Sequence, residues 1–328
     1  MFQVGLNPYG LTYTLGLQGL GTSRVNPRPA GLDGFIDIVR EAGVKCIELD
    51  WRWLTPMSAG ELARLRDKVA GLTPICSFWL AQQPGETLEH GVRCATALGA
   101  PILRLHLTPV VEGARAAWGP RWADLVAHGR ATLKREAPRA ADAGLILAIE
   151  NHQDFGSEEL VAIAEEAGEN VGIVLDTGNP FAVGEDPVAF ARRAAHRIRH
   201  VHLKDYVAQF TGEGYRLVRC AIGDGCVPFT AIAAALEEQS PSLTASLEPG
   251  ALDVRHIRLF TSEWWTGYPP RAASELAVAL GTLCRNQLDA GADYRTPWER
   301  GAPGPEIVDY EMAQIHRSVE NMRAMGWL

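Results

Sequence analysis

Four short apolar runs in the second half of this chain each end on a side chain able to bind a metal. They are LILAIE closing on Glu150, VGIVLD on Asp176, IRHVH on His202 and LTASLE on Glu248. The end residues are 26, 26 and 46 positions apart, and the first two intervals suit one strand, one helix and their loops. Parallel strands that all deliver a carboxylate or imidazole at their C-terminal ends describe the catalytic mouth of a (β/α)8 barrel. Three carboxylates and one imidazole meeting there form a site for a hard-to-borderline divalent cation.

The alternation within these runs points the same way, because side chains two apart share a face of a strand. With Glu150 inward, Ala148 and Ile146 follow it, and Leu145, Leu147 and Ile149 face the helices. Asp176 brings Val174 and Gly172 inward, Glu248 brings Ser246 and Thr244, and His202 brings His200 and Ile198. Bulky apolar side chains thus lie outside, and mostly smaller or polar ones lie beneath a polar site.

Strand candidates fall at 9–17, 45–49, 73–79, 101–107, 145–150, 171–176, 198–203 and 243–248, eight in all. Helical patterns separate them at 31–42, 59–70, 86–98, 120–142, 157–168, 186–196 and 229–238. This βαβα order predicts an α/β protein, a single (β/α)8 TIM barrel over residues 1–328. Such a barrel takes about 250 residues, so the chain has room for an insertion. It is expected at 249–304, after the eighth strand, where a helical stretch at 272–290 and a Gly/Pro-rich loop precede a closing helix at 305–325. The insertion begins at the catalytic face and is long enough to be a lid or a partner surface.

The bulk properties exclude several classes. No stretch approaches the ~20 continuous apolar residues of a membrane span, and MFQVGLNPYG has neither the basic stretch nor the apolar core of a secretory signal. A net charge of −8 argues against a nucleic-acid binder, which needs a basic face. Cys46, Cys76, Cys94, Cys220, Cys226 and Cys284 include no CxxC pair, and read as buried thiols of a cytoplasmic protein and not as a disulfide frame.

A dication beside paired carboxylates polarises a carbonyl or hydroxyl while a carboxylate removes the neighbouring C–H proton. The product is an enediolate whose negative oxygen the metal stabilises. Returning the proton to another carbon isomerises, and returning it to the opposite face epimerises. Glu150 and Glu248, from the fifth and eighth strands, are the candidate pair.

Taken together, LAIENH, IVLDTGNP, RHVHLKD and ASLEPG resemble the xylose isomerase-like superfamily of sugar phosphate isomerases and epimerases, over about residues 10–250. The resemblance implies a TIM barrel in which Glu150, Asp176, His202 and Glu248 bind one divalent metal, and Glu150 and Glu248 act as acid and base. Ketose 3-epimerases of the superfamily carry a substrate-binding His shortly after the strand-6 aspartate, where this chain has Thr177, Gly178 and Asn179. They also carry an Arg six residues past the strand-7 His, where this chain has Ala208. Arg219 is the candidate replacement for that Arg.

Smaller features carry two readings each. His152 in ENHQD is a general base or a hydrogen bonder supporting the site. Glu48 and His106, at ends of the second and fourth strands, touch substrate hydroxyls or brace the barrel rim. His200 shares a face with His202 but lies deeper, and suits packing or support. Lys204 binds a substrate oxygen or a rim carboxylate. Gly223-Asp224-Gly225 is a tight turn or a set of exposed backbone N–H groups. Trp264 and Trp265 form an aromatic wall for a sugar or aglycone, or else anchor the insertion.

The leading expectation is a metal-dependent isomerase or epimerase of a sugar, sugar phosphate or keto-sugar. Mn²⁺ is the expected metal, and Mg²⁺, Co²⁺ and Zn²⁺ are alternatives. The second is a lyase that uses the same proton abstraction to expel a β-leaving group from a 3-keto-glycoside. This is a looser resemblance to the catalytic subunit of C-glycoside deglycosidases, which pairs with a small β-rich subunit. Here His152 is the natural base. A barrel nuclease of the endonuclease IV type needs three zincs and more ligands than these motifs supply. The expected partners are a small carbohydrate substrate and, through the Trp-bearing insertion, a second copy or a small subunit.

Overall fold

The computed structural model describes residues 2–80, 88–237 and 243–328. Eight parallel strands close into a barrel in the order β1-β10-β7-β6-β5-β4-β3-β2. They are β1 (Gln3–Leu6), β2 (Cys46–Asp50), β3 (Thr73–Trp79), β4 (Ile102–His106), β5 (Ile146–Glu150), β6 (Val171–Asp176), β7 (Ile198–Leu203) and β10 (Thr244–Leu247). Seven of the eight fall where the alternation predicts them, and the first does not. The expected strand at 9–17 is instead a 3-10 turn at Pro8–Leu11 and irregular turns. Asn7 Oδ1 accepts the Tyr9 N–H at 2.7 Å, and Pro8 supplies the fixed φ of a helical start. The true strand, QVGL, is too short to announce itself by pattern. Its Gly5 lies so close to β2 that an added Cβ would stand 2.4 Å from Cys46.

Helices α1 (Gly31–Glu41), α3 (Ala59–Lys68), α4 (Leu88–Leu98), α5 (Arg121–Asp142), α6 (Ser157–Ala167), α7 (Pro187–Ala194), α8 (Phe229–Glu237) and α10 (Gly304–Ala324) surround the barrel, with a single turn, α2, at Trp51–Leu54. Positions 86–87 and 238, within the expected helices 86–98 and 229–238, lie outside the described residues. Local chemistry fixes several starts. Ser58 and Glu61 form a reciprocal capping box on α3, and Asp186 accepts from Ala189 N at 2.9 Å ahead of Pro187. No helix among the described residues is long and apolar enough to cross a membrane. The thiols of Cys46, Cys76, Cys94 and Cys226 are buried as expected, but Cys220 is half-buried and Cys284 is exposed.

Two apolar layers follow from the alternation. Leu147, Ile149, Ile173, Leu175, Val201, Leu203, Ala245 and Leu247 point outward into the helix-facing core. Inside the barrel, Ile75, Ile102, Ala148 and Val174 pack together against Ile146. Above that plug the interior turns polar, with Glu48, Ser77, Arg104, His200 and Ser246 all buried.

Two additions sit on the mouth. Between β7 and α8 the chain forms a hairpin, β8 (Tyr206–Thr211) and β9 (Gly214–Arg219), which the sequence pattern did not reveal. It is joined antiparallel by β11 (Arg255–Ile257) into a three-stranded sheet. The segment after β10 therefore returns across the mouth to complete this sheet before α9 (Ala273–Arg285).

Candidate active site

Strand ends deliver the four expected ligands to one place. Glu150, Asp176 and His202 each offer a ligand atom within 4.8 Å of the others. Glu248, the residue after β10, brings Oε2 to 3.0 Å from His202 Nδ1. All four are buried. Asn151 fixes the adjacent backbone: its Nδ2 donates to the Asp176 carbonyl at 3.0 Å and its Oδ1 accepts the Asp176 N–H at 2.6 Å. Asp176 Oδ1 accepts from Gly178 N and Asn179 N at 3.0 and 3.2 Å, which leaves Oδ2 facing the site.

Each of the four residues turns one buried polar atom toward that place with no well-formed hydrogen bond among the described residues: Glu150 Oε1, Asp176 Oδ2, His202 Nδ1 and Glu248 Oε2. Asp176 Oδ2 is held only by the Lys204 ammonium at 2.5 Å, and His202 Nδ1 and Glu248 Oε2 face each other at 3.0 Å. Unpaired buried polar atoms are rare and costly, about 1–3 kcal/mol each. One from each of four converging side chains is a donor set suited to a cation. The charges agree. Glu48, Glu150, Asp176 and Glu248 are buried beside two permanent cations, Arg104 and Lys204. One dication would balance that excess of two negative charges once His202 is neutral, as a ligand must be; without it, the carboxylates favour a protonated His202. Three carboxylates and an imidazole suit a hard-to-borderline divalent ion, so the residues fit the metal that the motifs imply.

The remaining expected site residues take distinct places. Glu48 lies inside the barrel below the ligands. It accepts from the Ser77 hydroxyl, brings Oε2 to 2.9 Å from His202 Nε2, and has Arg104 Nε at 4.0 Å. His200, deeper still, bonds Thr244 Oγ1 at 2.6 Å and Ser246 Oγ at 3.1 Å. His106 Nε2 is 2.9 Å from Glu150 Oε2, and its ring stacks on His152 at 3.8 Å. Lys204 Nζ lies 2.5 Å from Asp176 Oδ2 and 2.6 Å from Glu248 Oε1.

Arg219, on β9, donates through Nη2 to the Gly10 carbonyl at 3.1 Å and lies over the Tyr310 ring. Its position is thus the rim where the hairpin meets the loop after β1. Trp264 is 4% exposed. Its indole donates to the Glu112 carbonyl at 2.9 Å and its ring stacks on Tyr268 at 4.6 Å. The geometry makes it an anchor of the insertion and not an open wall. The GDG turn is likewise occupied, since Gly223 N and Gly225 N donate to Asp205 Oδ2 at 2.9 and 2.8 Å.

The sequence reading missed Arg104. It is buried between Glu48 and Glu150, donates to Glu150 Oε2 through Nε at 2.5 Å and to Ser77 at 3.3 Å. The signal was available: in ILRLH, Arg104 is two residues from His106 and so shares its inward face.

These neighbours set the ionisation. Burial alone would raise the Glu150 carboxyl, but Arg104, His106 and His202 hold it well below the usual range. Burial, with Arg104 alongside, pushes His106 down to about 4, and burial with His106 keeps His152 neutral. Burial opposes protonation of His202, yet Glu48, Glu248 and Glu150 outweigh it and raise the imidazole well above its ordinary value. Asp176 is pushed up to about 6 by burial and by the neighbouring glutamates, against the pull of Lys204.

Comparison with known proteins agrees with this architecture. A family model described as a xylose isomerase-like TIM barrel matches residues 36–261. An inosose dehydratase of Clostridium botulinum (strain Alaska E43 / Type E3) is 34% identical over 102 residues, 30% of this chain and 33% of that protein. The chain spans 33% to 64% of the length of the first curated relatives it matches. Among solved structures, D-psicose 3-epimerase with D-tagatose from Clostridium cellulolyticum H10 is similar with a TM-score of 0.55 at 13% identity, over 87% of this chain and 91% of that one. The IOLI protein with a binding zinc atom is similar with a TM-score of 0.51 at 17% identity, over 89% and 99%. At these identities the structural likeness is one of fold. The family model covers well over half of the sequence, and the chain belongs to the xylose isomerase-like TIM barrel family.

Proposed function

We propose that this protein is a divalent-metal-dependent isomerase or epimerase of a keto-sugar or a related polyhydroxy carbonyl compound. The reading rests above all on the convergence of Glu150 Oε1, Asp176 Oδ2, His202 Nδ1 and Glu248 Oε2, four buried ligand-type atoms that lack a well-formed hydrogen bond. They are the residues to hold the ion, for which Mn²⁺ is the first choice and Mg²⁺, Co²⁺ and Zn²⁺ are alternatives. When bound, the ion supplies Lewis acidity that makes a carbon beside the substrate carbonyl more acidic. Glu150 and Glu248 move the proton: one carboxylate takes it from that carbon, and the other returns it to the neighbouring carbon or to the opposite face. Lys204, against Asp176 and Glu248, donates hydrogen bonds to a substrate oxygen on that side. Burial of the site keeps water from competing for the proton.

A second reading is favoured by His152, a neutral imidazole stacked on His106 with Nδ1 unpaired. As the base, it takes the proton from the carbon next to the carbonyl. The electrons form a C=C bond, and the group on the next carbon leaves with its bonding pair. Sequence relatives named as inosose dehydratases favour such a lyase, with water or a glycosidic aglycone as the leaving group.

The test is incubation of the Mn²⁺-loaded protein in D₂O with free ketoses, sugar phosphates, keto-inositols and 3-keto-glycosides, followed by NMR. Deuterium beside the carbonyl together with a new isomer supports the first reading. Loss of water or an intact aglycone supports the second. Silence across the panel with metal bound overturns both.

A further inference from the structure

Apart from Asn7 Nδ2 and from Arg219 Nε and Nη1, which are also unpartnered but lie by the loop after β1, Trp79 Nε1, His106 Nδ1, His152 Nδ1 and Asn179 Nδ2 form one group of buried nitrogens without a hydrogen-bond partner among the described residues. They come from the C-terminal ends of four consecutive barrel strands, β3 to β6. Trp79 and His106 are register partners across β3 and β4. Their rings lie 4.9 Å apart, His106 stacks on His152 at 3.8 Å, and Trp79 lies 6.4 Å from His152. The three rings form one wall. That wall is fastened to the ligand set, because His106 Nε2 lies 2.9 Å from Glu150 Oε2 and Asn179 N donates to Asp176 Oδ1 at 3.2 Å.

An indole N–H can only donate, so Trp79 calls for an oxygen acceptor. None of the four unpartnered nitrogens is cationic: the nearest guanidinium, Arg104, contacts His106 Nε2 and is engaged by Glu150 and Ser77 behind the wall. Phosphate and carboxylate are usually gripped by Arg or Lys through charge-assisted bonds, whereas neutral N–H groups suit hydroxyls. Aromatic faces beside those donors suit the C–H surface of a ring.

We propose that Trp79 is a substrate-binding residue whose indole N–H, with Asn179 and the two histidines, hydrogen-bonds the hydroxyls of an uncharged polyhydroxylated ring. This deepens the keto-sugar reading above and rests on it for the reacting carbonyl, but its binding test stands apart from turnover.

Trp79→Phe keeps an aromatic ring and removes the N–H. Calorimetry with myo-inositol as the probe, on the Mn²⁺-loaded wild type and variant, is expected to show about 5–10-fold weaker binding to the variant. Mn²⁺ affinity and circular dichroism are expected to be unchanged. A monodeoxy-inositol lacking the partner hydroxyl is expected to bind both proteins equally. Equal myo-inositol binding to both proteins overturns the proposal. So does a parallel loss of Mn²⁺ affinity, which marks a structural role, or a wild type that binds sugar phosphates and no uncharged polyol. If the wild type discriminates the probe through Trp79 but turns over no keto-sugar, this inference stands and the proposed reaction falls.

Discussion

Glu48 holds His202 from beneath: its Oε2 lies 2.9 Å from Nε2, which turns Nδ1 upward to within 3.0 Å of Glu248 Oε2. The pair has the form of a carboxylate–histidine–metal relay, in which the outer carboxylate fixes ring orientation and raises ligand basicity.

Glu48→Gln removes that charge at nearly constant shape. The Mn²⁺ dissociation constant, measured by calorimetry, is expected to rise by roughly 10–100-fold while the circular dichroism spectrum stays native. An unchanged constant would mean that Glu48 does not orient the ligand.

Glu150→Gln and Glu248→Gln each remove one candidate acid/base group. Turnover, followed by proton exchange at the reacting carbon, is expected to fall by about 10²–10⁴-fold or more in both, with the fold retained. Full activity in either variant would remove that residue from the proton-transfer step.

Asp154 offers a pH test away from the ligands. Burial pushes its carboxyl up to about 7, against the pull of the Thr108 hydroxyl and Arg115. The folded protein therefore holds a proton there that the unfolded chain releases near its ordinary value of 3.8. Between these limits the native state binds more protons, so this group's contribution to stability falls as pH rises. Asp154→Asn removes the penalty. Its melting temperature relative to wild type is expected to climb between about pH 4 and pH 7 and then level off, and a constant difference would contradict the shift.

Trp264→Ala tests the anchoring of the insertion. It removes the stack on Tyr268 and the bond to the Glu112 carbonyl, and large-to-small changes at buried aromatics cost about 3–5 kcal/mol. Hydrogen exchange is expected to speed up across 255–272 while Mn²⁺ affinity holds. Unaltered exchange in that segment would place the anchor elsewhere.

The convergence of the four proposed ligands was legible because each closes an apolar run, and barrel geometry brings strand ends together. Arg104 was legible in principle from its two-residue spacing to His106. The first strand was not, because four residues with a glycine carry no periodic signal and Tyr9–Leu17 imitates one better. Nor was the β8–β9 hairpin, since a strand that begins three residues after β7 reads as its continuation. Trp264 and Trp79 show the same gap in opposite directions. Trp264, in a loop, suggested either a binding wall or an anchor, and it is the anchor, buried against Tyr268. Trp79, at the end of a strand candidate, drew no reading of its own, yet keeps its N–H free at the mouth.

The segment after Glu248 is tied down at two separated places. On one side β11 pairs with β9, which is continuous through β8 with the Lys204 end of β7. On the other, Arg115 donates to the Gly267 carbonyl and lies over the Tyr268 ring, next to the His106 and Glu150 strands. The molecule therefore has two hoops, one of strand pairing around its girth and one of chain stretched over its rim. Slack in the second would let the strand ends splay while the first stayed intact. A substitution far from any ligand could then loosen the distances among Glu150, His202 and Glu248 without unfolding the protein.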